Sequence, residues 1–318
     1  MKSKKKMIPI IYSSKYNISV LGIENFHSFD TKKYRKVYRM LKKRLNLSSG
    51  QFYSPNIISD ENLMHVHSKE YLKSLKRSTV IEEIVEIPFI KHIPNIILQK
   101  GMLNPMKFAT MGTILGLRLA LKHGWAINLS GGYHHAKSDH GEGFCFFADI
   151  PLAVKGIWQK HPELKILIVD LDAHQGNGCS SILGKDKKVA ILDMYNTAIF
   201  PRDRNAEKLV SYKVALCRRT RDDVYLEKLN PMLSKAIEKH KPNVIIYNAG
   251  TDVYVEDPLG GLWISEQGII KRDEIVFSAA LDNKIPILML LSGGYHKKSG
   301  DIIGKSILNL EQKELISC

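Results

Sequence analysis

The stretch that decides the fold is Ile166-Leu167-Ile168-Val169-Asp170-Leu171-Asp172-Ala173-His174. Its first four residues form a short apolar, largely β-branched run that is typical of a buried strand. Side chains two positions apart on an extended chain share a face, so Asp170, Asp172 and His174 are predicted to point the same way where the strand ends. Two buried carboxylates and an imidazole are costly unless a cation or a hydrogen-bond network holds them, so the stretch predicts a functional site.

Three other strand-like runs also end in residues that can carry chemistry. The three ends are Gly132-Tyr133-His134-His135, Asn248-Ala249-Gly250-Thr251-Asp252 and Ser292-Gly293-Gly294-Tyr295-His296. In open α/β sheets, ligands bind outside the carboxyl ends of the strands. The four strand ends together therefore predict one active site built from His, Asp and Tyr side chains.

Strand-like and helix-like segments alternate along the chain, which is typical of crossover units and a mostly parallel sheet. The predicted strands are residues 8–12, 84–87, 125–129, 165–169, 189–194, 243–247 and 285–291, and the predicted helices are residues 31–47, 68–77, 106–123, 150–160, 222–240 and 265–281. No linker or composition break divides the chain. We therefore predict a single α/β domain over residues 1–318, with a core over about 8–310 and helices flanking a mostly parallel central sheet.

The composition limits the class and the location of the protein. The 318 residues carry a net charge of +15, and Cys145, Cys179, Cys217 and Cys318 show no paired spacing. Neither a disulfide framework nor a cysteine-based zinc site is supported, which fits a reducing compartment. The apolar run after the N-terminal lysines stops at Tyr12, and no other run reaches the roughly 18 residues of a transmembrane helix. We expect a soluble protein without a transmembrane segment, in the cytoplasm or, if the source is eukaryotic, in the nucleus.

Residues 31–47 are predicted to form an amphipathic helix with a basic outer face. They include eight Lys or Arg and no acid, and five apolar or aromatic residues recur at helical spacing: Tyr34, Val37, Tyr38, Leu41 and Leu45. A basic face attracts nucleic acid or an anionic membrane surface. Because a charge run is more often a solvated face, an anionic partner is one interpretation and a solvent-exposed surface is the other.

The strand ends carry the groups that metal-assisted hydrolysis needs. Three protein ligands plus an open position characterise a catalytic zinc site, and Asp172, His174 and Asp252 offer suitable oxygen and nitrogen ligands. Hydrolysis also needs a base for the water, which His134-His135 offers, and a donor for the developing oxyanion, which Tyr295 offers.

Asp170 is expected to orient one of the histidines by a hydrogen bond. Each residue taken alone also has a structural explanation: adjacent histidines are often one core and one surface residue, Asp252 suits a helix cap, and a Tyr after Gly-Gly is usually a packing residue. Their joint placement at four strand ends favours the active site.

These motifs resemble those of the zinc-dependent histone deacetylases, and the similarity runs from Pro9 to Leu310. The matching stretches are residues 132–145, 170–178, 248–252 and 292–295. Within the family, the resemblance is closest to class IV, through residues 175–178, 195–196 and 201–204.

The resemblance implies an arginase/deacetylase fold with one catalytic zinc held by Asp172, His174 and Asp252. It also implies that His135 is the general base and that His134 is its electrostatic partner near Asp170.

Tyr295 is then implied to bind the carbonyl oxygen of the substrate. Gly143, Phe144 and Phe200 are implied to line the acyl tunnel. A structural potassium ion is implied near the backbone of residues 170, 172 and 174.

Two positions depart from the pattern of most family members. Asn177 stands where most deacetylases have a second Asp behind the general base. An amide can hold the ring, although it stabilises an imidazolium less than a carboxylate does, and class IV shares the Asn. Asp193 stands where many members have a small hydroxyl residue near the potassium site.

The sequence therefore predicts a zinc-dependent amidohydrolase that removes acyl groups from lysine side chains of proteins or peptides. The class IV resemblance implies a preference for long-chain fatty acyl groups over acetyl. The alternatives are a hydrolase of acetylpolyamines or other small amides and an inactive acyl-lysine binding module, which would need no general base. A binuclear manganese ureohydrolase is disfavoured because two metals need extra carboxylates, while positions 175 and 177 hold Gln and Asn.

Overall fold

A sheet of seven parallel strands lies at the centre of the computed structural model, which describes residues 7–22 and 32–318. The strands are β1 (Ile10–Ile11), β2 (Trp125–Asn128), β3 (Ile166–Asp170), β4 (Val189–Asn196), β5 (Tyr212–Leu216), β6 (Val244–Asn248) and β7 (Ile287–Leu290). Their order in the sheet is β1-β2-β7-β6-β3-β4-β5. The predicted α/β fold with one central sheet is therefore confirmed, and every strand pairing is parallel.

Helices flank the sheet and connect its strands. The α-helices are α1 (Lys33–Arg44), α2 (Asp60–Leu63), α3 (Lys69–Ser74), α4 (Ser78–Val85), α5 (Asn95–Leu98), α6 (Asn104–His123), α7 (Asp149–Trp158), α8 (Asn177–Leu183), α9 (Arg204–Glu207), α10 (Asp222–His240), α11 (Glu266–Asp282) and α12 (Ser299–Gln312). Within the described residues, no helix is long and apolar enough to cross a membrane.

The central strands are buried along their whole length, which explains why they read as continuous apolar runs rather than as alternating ones. The register aligns their carboxyl ends: Asp170 of β3 lies beside Asn248 of β6 and Asp193 of β4. In the same way, Asn128 of β2 lies beside Leu290 of β7. The loops that follow these strands therefore start at one edge of the sheet.

One predicted strand is wrong. Residues 84–87 do not form a strand, because Ile84 and Val85 are the end of α4 and Glu86 adopts a left-handed conformation just after it. Ile81, Ile84 and Val85 are the buried residues of this helix, at the i, i+3 and i+4 spacing of a helical face. The period of such a short apolar run does not distinguish a strand from a helix, and packing selected the helix here.

The predicted basic helix forms, within narrower limits. It begins at Lys33, and residue 31 lies outside the described residues. Tyr34, Val37 and Leu41 face the core as predicted. Lys33 does not belong to the basic outer face, because it is fully buried and its Nζ donates to the carbonyl of Ser292 at 2.6 Å.

Candidate active site

The four strand ends predicted to meet do so at the carboxyl edge of the sheet. Asp172 and His174 follow β3, Asp252 follows β6, and Tyr295 follows β7. The adjacent His134 and His135 follow β2. All of these side chains are buried except that of Tyr295, which is partly buried.

Asp172, His174 and Asp252 form a compact group of potential metal ligands. One ligand atom from each residue lies within 4.8 Å of the other two. His174 Nδ1 is 3.1 Å from Asp172 Oδ1 and 2.8 Å from Asp252 Oδ2. An imidazole nitrogen and two carboxylate oxygens with this convergence suit a divalent cation such as zinc.

The electrostatics of the triad favour a positive charge. Burial alone would lower the pKa of His174, but hydrogen bonds and charges from Asp172 and Asp252 outweigh it and raise this pKa to about 10. Burial and the charge of Asp172 raise the pKa of Asp252 to about 7. The same two carboxylates that stabilise a protonated imidazole would stabilise a metal ion between them. The three residues therefore fit a metal ion.

Backbone groups hold the two carboxylates in place. Asp172 Oδ2 accepts hydrogen bonds from the Ser292 hydroxyl and the Gly293 N–H, both at 2.8 Å, and Asp252 Oδ1 accepts one from the Ala173 N–H at 2.9 Å. A Cβ on residue 293 would lie 2.6 Å from Oδ2 of both Asp172 and Asp252. Only glycine therefore lets the chain before Tyr295 pass this close to the ligands.

The two adjacent histidines sit in opposite electrostatic environments. His134 Nδ1 is 2.8 Å from Asp170 Oδ2, and its Nε2 is 3.7 Å from Asp172 Oδ1. Burial alone would lower the pKa of His134, but the charges of these two carboxylates raise it to about 9. His134 is therefore protonated at neutral pH.

The hydrogen-bond partner of His135 is an amide rather than a carboxylate. Its Nδ1 lies 2.8 Å from Asn177 Oδ1. Burial, followed by the charges of His134 and His174, lowers the pKa of His135 well below its ordinary value. This imidazole is therefore neutral and able to accept a proton, and such a separation of pKa values between neighbours is typical of acid and base assignments.

Tyr295 presents a phenol that keeps its proton. The side chain is partly buried, and this burial together with the charges of Asp172 and Asp252 raises its pKa well above the ordinary value. Its ring stands edge-on to His174 at 6.1 Å and to Phe144 at 5.9 Å between centroids. The hydroxyl thus keeps its proton at neutral pH and is able to donate a hydrogen bond.

A cavity of about 220 Å³ joins these groups to the surface. It is lined by Glu86, His135, Gly143, Phe144, His174, Ile199, Phe200, Leu259 and Tyr295. The three predicted tunnel residues are thus brought together with the predicted base, one ligand and the predicted donor. Gly143 has a φ of +53°, and a Cβ there would lie 2.5 Å from Cδ2 of His135, so glycine is required at this wall.

The histone deacetylase domain family matches residues 27–309 of the chain. This protein belongs to the histone deacetylase family. Histone deacetylase 2 of Arabidopsis thaliana is 44% identical over 309 residues, which cover 97% of this chain and 80% of that protein. The predicted family is therefore confirmed, and the chain is a deacetylase-like hydrolase.

Two solved structures share the deacetylase fold. The HDA15 HD domain superposes with a TM-score of 0.76 at 19% identity, covering 98% of this chain and 89% of that one. An acetylpolyamine aminohydrolase from Burkholderia pseudomallei has a TM-score of 0.73 at 14% identity and covers 95% of this chain and 98% of that one. At these identities the likeness concerns the fold, and it agrees with the predicted arginase/deacetylase architecture.

Several residues around the deacetylase site were missed from the sequence. Arg272 of α11 is fully buried, and its guanidinium donates to the carbonyls of Gly250 and Leu171, at 2.6 and 3.2 Å. It thereby ties together the two loops that carry Asp172 and Asp252. No local motif marks it, because its partners lie 22 and 101 residues away. Ile199 and Leu259, which line the cavity, were also missed because no local motif marks them.

Asp193 contributes a further buried carboxylate beside Asp170. Its Oδ2 accepts a hydrogen bond from the Gly176 N–H at 3.0 Å, whereas its Oδ1 is buried without a hydrogen-bond partner. Burial and the charge of Asp170 raise the pKa of Asp193 well above its usual range. A proton or a cation is needed here to satisfy the free oxygen.

Proposed function

We propose that this protein is a zinc-dependent amidohydrolase that removes acyl groups from lysine side chains of proteins or peptides. The observation that carries the proposal is the set of residues that line one cavity of about 220 Å³. A neutral His135, a protonated Tyr295 and the ligand His174 all line it. This set would supply a base, an oxyanion donor and a metal ligand around one cavity.

Asp172, His174 and Asp252 would hold one zinc ion. When bound, such an ion polarises the amide carbonyl and acidifies a water molecule. A second metal would need further carboxylates, and Gln175 and Asn177 do not provide them.

The proton transfers are assigned to the chain's own residues. His135 Nε2 accepts the proton of the attacking water, because Nδ1 is turned toward Asn177. The Tyr295 hydroxyl donates to the oxygen that becomes negative as the carbonyl is attacked. Protonated His134, fixed by Asp170, places a positive charge 4.1 Å from the His135 ring, measured between centroids. This charge stabilises the developing anion and keeps His135 unprotonated before the reaction.

An acetylpolyamine or another small cationic amide is the second candidate substrate. The observation that favours it is Glu86, whose side chain lines the same cavity as the catalytic groups. A carboxylate at this position would pair with an ammonium group of the substrate. An inactive acyl-lysine binding module is not favoured, because binding has no use for a neutral base beside a protonated histidine.

For the acyl group, we propose that long fatty chains are accepted and preferred over acetyl, as in class IV. The apolar side chains of Phe144, Ile199, Phe200 and Leu259 support this, since each buried methylene contributes about 0.8 kcal/mol. Ordering of a flexible chain offsets part of that gain. Acetyl-, octanoyl- and myristoyl-lysine versions of one peptide decide the point by their kcat/KM values, and equal or better turnover of the acetyl form contradicts it.

We also propose a structural potassium ion near the backbone of residues 170, 172 and 174. The unpartnered buried Oδ1 of Asp193 supports a cation in this region. Thermal unfolding in KCl and in tetramethylammonium chloride of equal concentration tests it, with a higher Tm expected in KCl. Equal Tm values in the two salts exclude a specific potassium site.

For the location, we propose a reducing compartment, the cytoplasm or nucleus, because all four cysteines are unpaired.

For the outer face of α1 we propose contact with an anionic partner. Arg35, Lys36, Arg39, Lys43 and Arg44 support it, since all five are exposed on this helix.

The main experiment is turnover of a fluorogenic acyl-lysine peptide with and without a chelator. Turnover is expected to stop when zinc is removed and to return when zinc is added. Asp252→Ala is expected to be inactive, while Asp139→Ala, which removes an exposed carboxylate, is the matched control. Turnover of acetylpolyamines alone supports the second candidate, and peptide binding without any turnover supports the binding module.

A further inference from the structure

Asn177 connects the base to a carboxylate that the sequence motifs did not identify. The Asn177 side chain is buried, with its Oδ1 2.8 Å from His135 Nδ1. On its other side, Nδ2 donates a hydrogen bond of 2.6 Å to Oε1 of Glu142. Glu142 lies in the loop that also carries the cavity residues Gly143 and Phe144.

The carboxylate of Glu142 determines the orientation of the Asn177 side-chain amide. An amide offers an oxygen on one side and an NH₂ group on the other, and the two ends have nearly the same shape. An ionised carboxylate is only an acceptor, so it selects the NH₂ group. The oxygen of Asn177 must then face His135.

The orientation of the amide in turn fixes the proton on His135. Because Asn177 Oδ1 is an acceptor, the neutral imidazole carries its hydrogen on Nδ1 and leaves Nε2 with a lone pair. A reversed amide would hold the hydrogen on Nε2. In that tautomer the ring could not accept a proton from water at Nε2, although nothing else in the site had moved.

Glu142 also pairs with Lys137 at the edge of the site. Lys137 Nζ lies 3.3 Å from Glu142 Oε1 and 3.0 Å from Asp203 Oδ2. Burial alone would lower the pKa of Lys137, but these two carboxylates raise it. The Glu142 side chain is 27% exposed, so its charge avoids most of the cost of full burial.

We propose that Glu142 is a positioning residue for the deacylation reaction: it orients the Asn177 amide and thereby sets the tautomer of the base His135. The proposal rests on the assignment of His135 in the proposed function. Glu142 does not touch the substrate or the base. Most family members carry a carboxylate at position 177 itself. Here the carboxylate is that of Glu142, which is hydrogen-bonded to Asn177 rather than to His135.

The kinetic test compares variants of residue 142 in two backgrounds. In the native background, Glu142→Ala is expected to lower kcat roughly tenfold or more with KM little changed, since a hydrogen bond to a charged group is lost. Glu142→Gln keeps an acceptor and is expected to lose less. Asp139→Ala, an exposed carboxylate in the same loop, is the control and is expected to retain wild-type kcat.

The second background is Asn177→Asp, in which the two carboxylates would face each other. This variant alone is expected to lose activity, because like charges meet where the 2.6 Å hydrogen bond stood. Adding Glu142→Ala is then expected to raise kcat. If Glu142 only shaped the loop, its removal would lower activity in both backgrounds and raise KM, and that result overturns the proposal.

A readout that needs no turnover separates this proposal from the proposed function. In ¹H–¹⁵N spectra of the histidine rings, assigned with His135→Gln, His135 is expected to carry its hydrogen on Nδ1 in the wild-type protein. Glu142→Ala is expected to give a mixture of the two tautomers. An Nε2–H tautomer in the wild type, or an unchanged spectrum in the variant, overturns the proposal even if no acyl-lysine peptide is ever hydrolysed.

Discussion

Replacing Tyr295 with Phe removes one oxygen atom and leaves the rest of the site in place. The ring is partly buried and stands edge-on to Phe144 and His174, and Phe preserves both contacts. Because the pKa of Tyr295 is raised well above its usual range, the wild-type hydroxyl donates throughout the working pH range. The loss of one preorganised donor to an oxyanion costs roughly 10²–10³ in kcat, or about 2.7–4 kcal/mol.

The assay is steady-state turnover of an acyl-lysine peptide, with zinc content and Tm measured on the same preparations. Zinc content is expected to stay at about one per chain, because Tyr295 is not a ligand. KM is expected to change little, because the donor acts mainly on charge that develops in the transition state. A variant that keeps nearly normal kcat shows that another group stabilises the oxyanion. A variant that loses zinc shows that Tyr295 supports the metal site instead.

The remaining predictions concern the base, the metal and the stability of the fold. His135→Ala is expected to abolish turnover while elemental analysis still finds zinc, and residual activity near the wild-type level contradicts its assignment as base. Metal analysis of the purified protein is expected to give about one zinc per chain, and two bound manganese ions or full activity of Asp252→Ala would refute the single-zinc site. His67 is buried and accepts a hydrogen bond from the Ala148 N–H at 3.0 Å, and burial lowers its pKa to about 4. In the unfolded chain His67 binds a proton near pH 6.5, whereas in the folded protein it does so only near pH 4. The free energy of unfolding is therefore unaffected by this group above pH 6.5 and decreases by roughly 3 kcal/mol as the pH falls toward 4. His67→Gln is expected to flatten this part of the denaturation profile, and parallel profiles for the two proteins contradict the prediction.

The parts of the fold predictable from the sequence are those in which local pattern and packing agree. Buried parallel strands need apolar side chains on both faces, so β3, β6 and β7 are visible as continuous runs. The strand β5 was missed because it lies at the sheet edge, where only Val214 and Leu216 are buried and Lys213 and Ala215 are exposed. Helix α12 was missed because it begins among small residues, with no side-chain hydrogen bond at its N-terminus.

The residues of the site also differ in whether the sequence predicts them. Asp172, His174, Asp252 and Tyr295 each follow a recognisable strand, so strand-end reasoning brings them together before any coordinates are known. Glu142 has no such marker, because its role depends on a hydrogen bond to a residue 35 positions further along the chain. Contacts of this kind follow from tertiary packing and from no periodicity in the sequence.

The exchange of a carboxylate for an amide behind His135 has a consequence for the charge of the site. Asp170 and Asp172 already hold His134 protonated at neutral pH. A further buried anion directly on His135 would raise the pKa of the base as well, and it would have to be desolvated without a cation of its own. Asn177 avoids that cost, and Glu142, in its proposed role, orients the Asn177 amide from a partly exposed position beside Lys137. Separating the charge from the contact thus lets the site orient its base without burying another carboxylate.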